Sequence, residues 1–443
     1  MRHRLIWIVR AIWAAVLGWC IRLVRRLAGK PPRVWHGGFP MHMLRDMVRA
    51  DRLAGYPGGS LVNNVRLNSA YSLVNVTDFD IVLDERGVRS DEYHWATVCY
   101  FLRHADIVVA FFDLYLAAQN RPDQTAWLLA IMRRLGIRTI FVPSGLDVVY
   151  ESGKVDRYDF IACIRDDYPK WDLKSDTPLI RERLRRYCHQ AEFVVSGDAV
   201  TERFLPRADI RFKYFPIDTD AFTPSYTTRN AIPVIAHAPN HRRIKGTEYL
   251  LKAVSRLQEM GIEVELKLIE KVPPEEARAI YASADLIADQ FCIGSFGMFA
   301  MEGLALGKPV LAYLDEEHLG DPVFNLPIVN TTPENLTCVL AVLLQLPILR
   351  ERLGRAGRAA VQSYQSLSAQ AEIWSRIYRH VWWNARLELD TTAVFGLDRQ
   401  PRSFCENPAN PDFWPVDVSD LQTGINESLE QLRREPLNYF GNK

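Results

Sequence analysis

His237-Ala-Pro-Asn-His-Arg-Arg-Ile-Lys-Gly-Thr247 reads as a strand end, a basic loop and a helix start. Residues 234–237 are apolar and follow Pro233, as a short buried strand does. Residues 247–260 have helical spacing, with Thr247 as the capping hydroxyl and Gly261 as the stop. Between them, Arg242, Arg243, Lys245 and Gly246 fall beside backbone N–H groups that no helix carbonyl satisfies. Cations and free amides both attract phosphate. Taken alone, the loop is equally well a solvated basic turn.

Downstream the alternation continues. Residues 262–269 read as a strand, 274–284 as a helix with proline in its first turn, and 286–288 as a short buried strand. Then comes Cys292-Ile-Gly-Ser-Phe-Gly-Met-Phe-Ala-Met-Glu302, a second glycine-bearing loop feeding a helix that Gly307 stops. Ser295 reads as its N-cap, and Gly294 and Gly297 let a ligand approach the backbone closely. Glu302 stands one turn into an otherwise apolar helix, where a carboxylate needs a partner or a ligand. Both loops follow strand C-termini of one sheet, the place where open α/β sheets bind ligands.

Upstream, strands at 33–35, 60–65, 81–83, 107–112, 139–142 and 193–195 alternate with helices such as 41–53 and 125–135. Two such series, joined near 222–232, predict an α/β chain of two Rossmann-like doubly wound domains facing a cleft. We assign 1–30 to an N-terminal amphipathic helix, 31–228 to a first Rossmann-like domain and 229–365 to a second, ligand-binding Rossmann-like domain. Residues 366–443 form a crossover helix, which returns to the N-terminal domain, and a wrapping tail.

Composition excludes some classes. The 54 basic and 53 acidic residues leave a net charge of +1, so the chain lacks the basic excess of a nucleic-acid binder. Seven dispersed cysteines with no CxxC pair read as reduced thiols, with no zinc spacing. The N-terminus departs from this balance: no acidic residue precedes Asp46. Its uninterrupted apolar stretch, 11–21, is shorter than the roughly 18–20 residues that span a bilayer. At about 100° per residue, Arg4, Arg10, Arg22, Arg25 and Arg26 fall on one side of a helix. Val9, Ile12, Trp13, Val16, Cys20 and Leu23 fall on the other. That pattern predicts an interfacial helix on an anionic membrane surface, on the cytoplasmic face of the cell membrane. The alternative is a helix docked on the protein's own body.

The C-terminal series, with HAPNHR…KGT, AD…DQ, FGMFAME and ALGKPV, resembles the donor domain of family-4-type (group 1) GT-B glycosyltransferases of bacterial polysaccharide biosynthesis. The likeness is strong over about 190–315 and weak upstream. It implies a nucleotide-sugar donor whose diphosphate is held by Arg242, Arg243 and Lys245 with Gly246. It implies contacts from the backbone of Ser295, Phe296 and Gly297, and a ribose held by Glu302. Gly37-Gly38 resembles the loop facing the donor phosphates, and 215–224 resembles the interdomain segment.

The sequence departs from that pattern twice. The family's E-x7-E pair has Gly294 at its first position. The histidines expected in the N-terminal domain are replaced: the strand at 107–112 ends on Asp113 and the turn is Ser144-Gly-Leu-Asp147. Asp113 and Asp147 are therefore the candidates for acceptor-side catalysis. The resemblance implies transfer of a hexosyl group, with retention, to a hydroxyl of a glycan or lipid-linked acceptor. Fixed cations and a helix N-terminus can stabilise the leaving diphosphate without a metal or another cofactor. A GT-B sugar-nucleotide epimerase and a catalytically degenerate scaffold are the alternatives.

Overall fold

The computed structural model describes residues 2–38, 42–63, 76–83, 93–111, 122–143, 163, 166, 173–226, 230–315 and 326–387. These form two compact units. The first draws on Met1–Tyr150, Asp172–Pro216 and Leu367–Asp390, and the second on Glu151–Trp171 and Ile217–Ser366.

Unit 1 holds strands β1 (Val34–Gly38), β2 (Gly58–Asn63), β3 (Ile81–Leu83), β4 (Ile107–Phe111), β5 (Arg138–Val142), β6 (Phe193–Ser196) and β7 (Ile210–Arg211). They pair in parallel in the order β3-β2-β1-β4-β5-β6-β7. Its helices are α1 (Arg2–Leu27), α2 (His42–Leu53), α3 (Tyr93–His104), α4 (Pro122–Arg134), α5 (Leu173–Gln190) and α6 (Ala199–Glu202). All of β4 is buried, as an inner strand covered on both faces must be. The first strand is longer than the sequence suggests. Gly37 and Gly38 belong to β1 and pair with Ala110 and Phe111, so they are strand residues and not the loop that was expected.

Unit 2 holds β8 (Val234–His237), α7 (Arg242–Lys245), α8 (Thr247–Glu259), β9 (Glu265–Leu268), α9 (Pro274–Ser283) and β10 (Leu286–Ala288). It continues with α10 (Met298–Ala305), β11 (Val310–Ala312), β12 (Val329–Asn330), α11 (Leu336–Gln345) and α12 (Pro347–Tyr364). The parallel order is β12-β11-β10-β8-β9. Helix α11 is apolar all round and lies almost wholly buried in the core.

Helix α13 (Leu367–Trp383) then returns the chain to unit 1. It packs on α2, and the Tyr378 hydroxyl donates to Asp51 Oδ1 at 2.9 Å. The other oxygen of Asp51 lies 2.6 Å from His36 Nε2. A buried polar trio thus fixes the returning helix against β1.

The N-terminal helix corrects one expectation. Its basic side is divided: Arg22 and Arg25 turn inward, while Arg10 and Arg26 stay exposed. Arg22 is 3% exposed and donates to the carbonyls of Leu102, Ala105 and Leu135, the frayed ends of α3 and α4. Arg25 pairs with Asp106 at 3.3 Å. Gly18 lies so close to α3 that a Cβ there would fall 1.8 Å from the Leu102 carbonyl oxygen. The apolar side faces solvent instead, and Ile6–Leu27 is long and apolar enough to cross a membrane by length and composition alone.

Candidate functional site

Strands β8 and β10 are neighbours, yet the chain leaves β8 toward β9 on one side and β10 toward β11 on the other. Loops at such a reversal point apart, which opens a crevice at the strand C-termini. The two loops singled out from the sequence follow β8 and β10. His237 ties them together: one ring nitrogen lies 2.7 Å from the Ala288 carbonyl and the other 2.9 Å from Thr247 Oγ1. Burial pushes its pKa down to about 4, so this imidazole is a neutral bracket.

The local structure differs from the expected loop and caps. Arg242–Lys245 closes one helical turn, ended by Gly246 in the left-handed conformation (φ 73°). Gly246 also precedes α8, so Thr247 is its first helical residue and not its cap. Gly297, rather than Ser295, stands at the N-cap of α10, with no side-chain cap.

At the centre, Lys245 Nζ donates to Asp289 Oδ1 and to Gln290 Oε1, each at 2.7 Å. Asp289 Oδ2 accepts from the Gly297 N–H at 2.8 Å. Asp289 is 0% exposed at its side chain and Lys245 12%. Gln290 Nε2 donates to the Ser295 carbonyl, and the Phe291 N–H to the Lys245 carbonyl. Asp289 and Gln290 therefore clamp the basic turn to the start of α10. The ammonium sits against Gly297, where a Cβ would come within 3.4 Å of it. Sequence reading quoted the pair within the AD…DQ motif but gave neither residue a role. A buried carboxylate just past a strand looks the same whether it holds a loop or binds nothing; the Asp289-Gln290 pair, directly after the buried strand 286–288, was the available signal.

The other cations are also paired. Arg242 makes a two-pronged contact with Glu270, at 2.9 and 2.7 Å, and Arg243 meets Asp166 at 2.9 Å. These pairs are exposed, with side chains 46% and 34% exposed in the first and 53% and 52% in the second. Exposed pairs contribute little and exchange readily, so an arriving phosphate can displace Glu270 and Asp166 far more cheaply than Asp289.

Ser295 and Phe296 are buried beneath this turn. Gly294 has φ 72°, and a Cβ there would lie 3.0 Å from Asp315 Cβ. The missing first glutamate thus has a backbone reason: this loop takes a left-handed residue against Asp315. Glu302 faces Arg278 at 3.9 Å and is 22% exposed at its side chain. Arg278 lies over the Phe222 ring at 5.0 Å, and the Tyr281 and Phe299 rings meet at 4.7 Å, tilted by 56°. Desolvation and nearby Glu302 hold the Tyr281 hydroxyl protonated.

In unit 1, Gly37 and Gly38 end β1 beside the last residue of β4. The sheet order reverses between these two strands as well. Asp113 and Asp147 lie outside the described residues.

No family model matches the chain. In sequence it is similar to an MMP alpha-(1->4)-mannosyltransferase of Mycolicibacterium hassiacum, 31% identical over 208 residues, covering 40% of this chain and 50% of that protein. The chain thus spans about half the length of that relative. In structure it is similar to the sucrose-phosphate synthase of Thermosynechococcus elongatus, with TM-score 0.53, 13% identity, and coverage of 80% of this chain and 100% of that one. It is also similar to HepE of Anabaena in complex with UDP, with TM-score 0.50, 11% identity, and coverage of 78% and 99%. The chain has the GT-B fold of glycosyltransferases, built from two Rossmann-like units, and its sequence likeness is to enzymes of that kind.

Proposed function

We propose that the chain is a glycosyltransferase that moves a sugar from a nucleoside-diphosphate sugar to a hydroxyl of a lipid-linked or polysaccharide acceptor. The observation that carries this reading is the clamp that sets Lys245 against the N-terminus of α10 at the strand reversal of unit 2. A cation, two exchangeable arginines and a helix N-terminus converge where a diphosphate is the natural ligand. The mannosyltransferase likeness supports sugar transfer, and the UDP complex of HepE supports a nucleotide donor. An epimerase would use the same site without an acceptor; the sequence likeness to transferases favours transfer.

In this reaction the bond from the sugar C1 to the β-phosphate oxygen breaks. The acceptor oxygen bonds to C1, and its proton passes to the departing phosphate oxygen or to solvent. Negative charge grows on the leaving diphosphate, and Lys245, Arg242, Arg243 and the α10 dipole stabilise it. That set of fixed charges supplies the role a metal ion would play. In this reading Glu302 accepts from the ribose hydroxyls, exchanging its 3.9 Å contact with Arg278 for them. Asp113 and Asp147 are the acceptor-side candidates. The site of action is peripheral, on the cytoplasmic face of the membrane.

A thermal-shift panel of UDP, GDP, ADP and CMP, with and without EDTA, tests the donor site. A ligand at about 100 times its dissociation constant stabilises by roughly 2.7 kcal/mol. One nucleoside diphosphate is expected to stabilise the protein, to resist EDTA and to lose its effect in Lys245→Ala. No shift with any of the four rejects the reading. Loss of transfer but not of binding in Asp147→Ala separates an enzyme from a scaffold.

A further inference from the structure

Helix α1 turns Arg22 and Arg25 inward and its apolar surface outward. Val9, Ile12, Trp13, Val16, Leu23 and Val24 are between 44% and 71% exposed. They share one face of a 26-residue helix about 39 Å long. The opposite face is sealed onto unit 1 by Gly18 against Leu102, by Arg22 and its three carbonyls, and by Arg25 with Asp106.

We propose that α1 is the surface by which the chain rests in a lipid bilayer, held by burial of this apolar face and not by attraction of its arginines to anionic lipid. Contiguous apolar surface of this size on one helix marks an interaction site. The rims of the face say which partner. Trp19 and Arg26 flank it on one side, and Trp13 and Arg10 on the other, at about 100° per residue. Indole and guanidinium groups along both edges match the headgroup level of a helix lying flat. A helix crossing the bilayer would have to abandon the Arg22 contacts and carry Arg22 bare into hydrocarbon, so the docked helix lies in the surface.

The docking also fixes orientation. Arg10 lies near Cys99, Gly18 meets Leu102, and Arg22 meets Leu102 and Ala105, so α1 runs parallel to α3. Helix α3 leads directly into β4 and runs against the strand direction. The bilayer therefore lies along the flank of the unit 1 sheet, with the first turns of α1 at the C-terminal strand ends. On the proposed reaction, which this last step rests on, an acceptor carried by a lipid reaches those strand ends from the side.

The test is flotation of the full chain with vesicles of neutral phosphatidylcholine and with vesicles that also contain phosphatidylglycerol, at low and high salt. The wild type is expected to float with both, at both salts. Ile12→Glu with Val16→Glu is expected to abolish flotation, while Arg10→Gln with Arg26→Gln leaves most of it. Binding that needs phosphatidylglycerol and disappears in salt overturns the proposal. So does a wild-type dimer that the glutamate variant splits, with no flotation, since a second copy then covers the face. Nucleoside-diphosphate binding by the glutamate variant, read in detergent-free buffer, is independent of this result; its failure strikes the proposed function and leaves the bilayer face standing.

Discussion

Lys245 and Asp289 form a buried ion pair, 2.7 Å between Nζ and Oδ1, that joins the basic turn after β8 to the start of α10. The pair has two separable roles. As a clamp it can be replaced; as a phosphate ligand the ammonium cannot. Lys245→Ala leaves Asp289 buried without its cation and is expected to cost about 3 kcal/mol. Lys245→Met together with Asp289→Leu removes both charges and should recover most of that loss in a urea titration. Neither variant should bind a nucleoside diphosphate within about tenfold of wild type, because a charge-assisted hydrogen bond is gone in both. Full binding by the double variant would show that the pair only braces the loop.

Arg242 and Arg243 should behave in the opposite way. Their carboxylate partners are exposed, so Arg242→Gln and Arg243→Gln are expected to leave the melting temperature nearly unchanged. Both should weaken nucleoside-diphosphate binding, and the salt dependence of binding should flatten in each, since a solvent-exposed charge contact has been lost. Calorimetric titrations at two salt concentrations read this directly. A variant that binds as tightly as wild type at both salts removes that arginine from the site.

Much of this was legible in the sequence for physical reasons. Apolar runs bounded by glycine and proline located the inner strands, because a strand covered on both faces has no polar positions. The convergence of 237–247 with 292–302 followed from their places after β8 and β10. Three features were not legible. A glycine pair reads as a loop until the neighbouring strands are known, and Gly37-Gly38 prolongs β1 because Ala110 and Phe111 continue beside it. Capping depends on where a turn closes, so Thr247 and Ser295 lost that role to Gly246 and Gly297. A helical wheel sorts α1 into basic and apolar sides without telling which side is buried; Arg22 is inside because the carbonyl ends of α3 and α4 need donors.

Lys308 gives a pH dependence with a fixed sign. Its ammonium is buried, 1% exposed as a residue, and has no hydrogen-bond partner among the described residues. Desolvation pushes its pKa down to about 8, with Asp285 acting weakly in the other direction. The unfolded chain therefore binds a proton more tightly than the folded one, and folding is penalised below pH 8. The penalty fades as pH rises from 8 toward the ordinary lysine value. Lys308→Met keeps the stem and removes the charge, so it is expected to stabilise the protein by about 1–3 kcal/mol at pH 7. The gain should shrink at pH 10. A gain that is equal at both values would mean packing, not charge, is responsible.

His237 sets the acid limit of the same unit. Its pKa is lowered to about 4 by burial, against an unfolded value near 6.5. The unfolded state gains the proton first, so stability is full above 6.5 and falls as pH drops toward 4. Urea midpoints should decline over that window. His237→Gln retains a donor and an acceptor between Ala288 and Thr247 and should flatten the decline, even if it lowers the plateau. A decline of the same size in the variant would assign it to other groups.

Gly294 decides whether the absent glutamate is a lost catalytic group or a different loop. If the position merely lacked its carboxylate, Gly294→Glu would restore one and raise transfer. The backbone argues otherwise. At φ 72° any L side chain is strained, and the new Cβ would press on Asp315 Cβ at 3.0 Å, bringing a second carboxylate toward the first. Left-handed strain alone costs about 1–2 kcal/mol. Gly294→Glu is therefore expected to lower the urea midpoint by at least that much and to reduce transfer. Gly294→Ala separates the two causes, since it carries the strain without the charge and should fall between them in activity. Higher transfer by the glutamate variant, at any stability, would mean that this loop has kept room for the family's carboxylate.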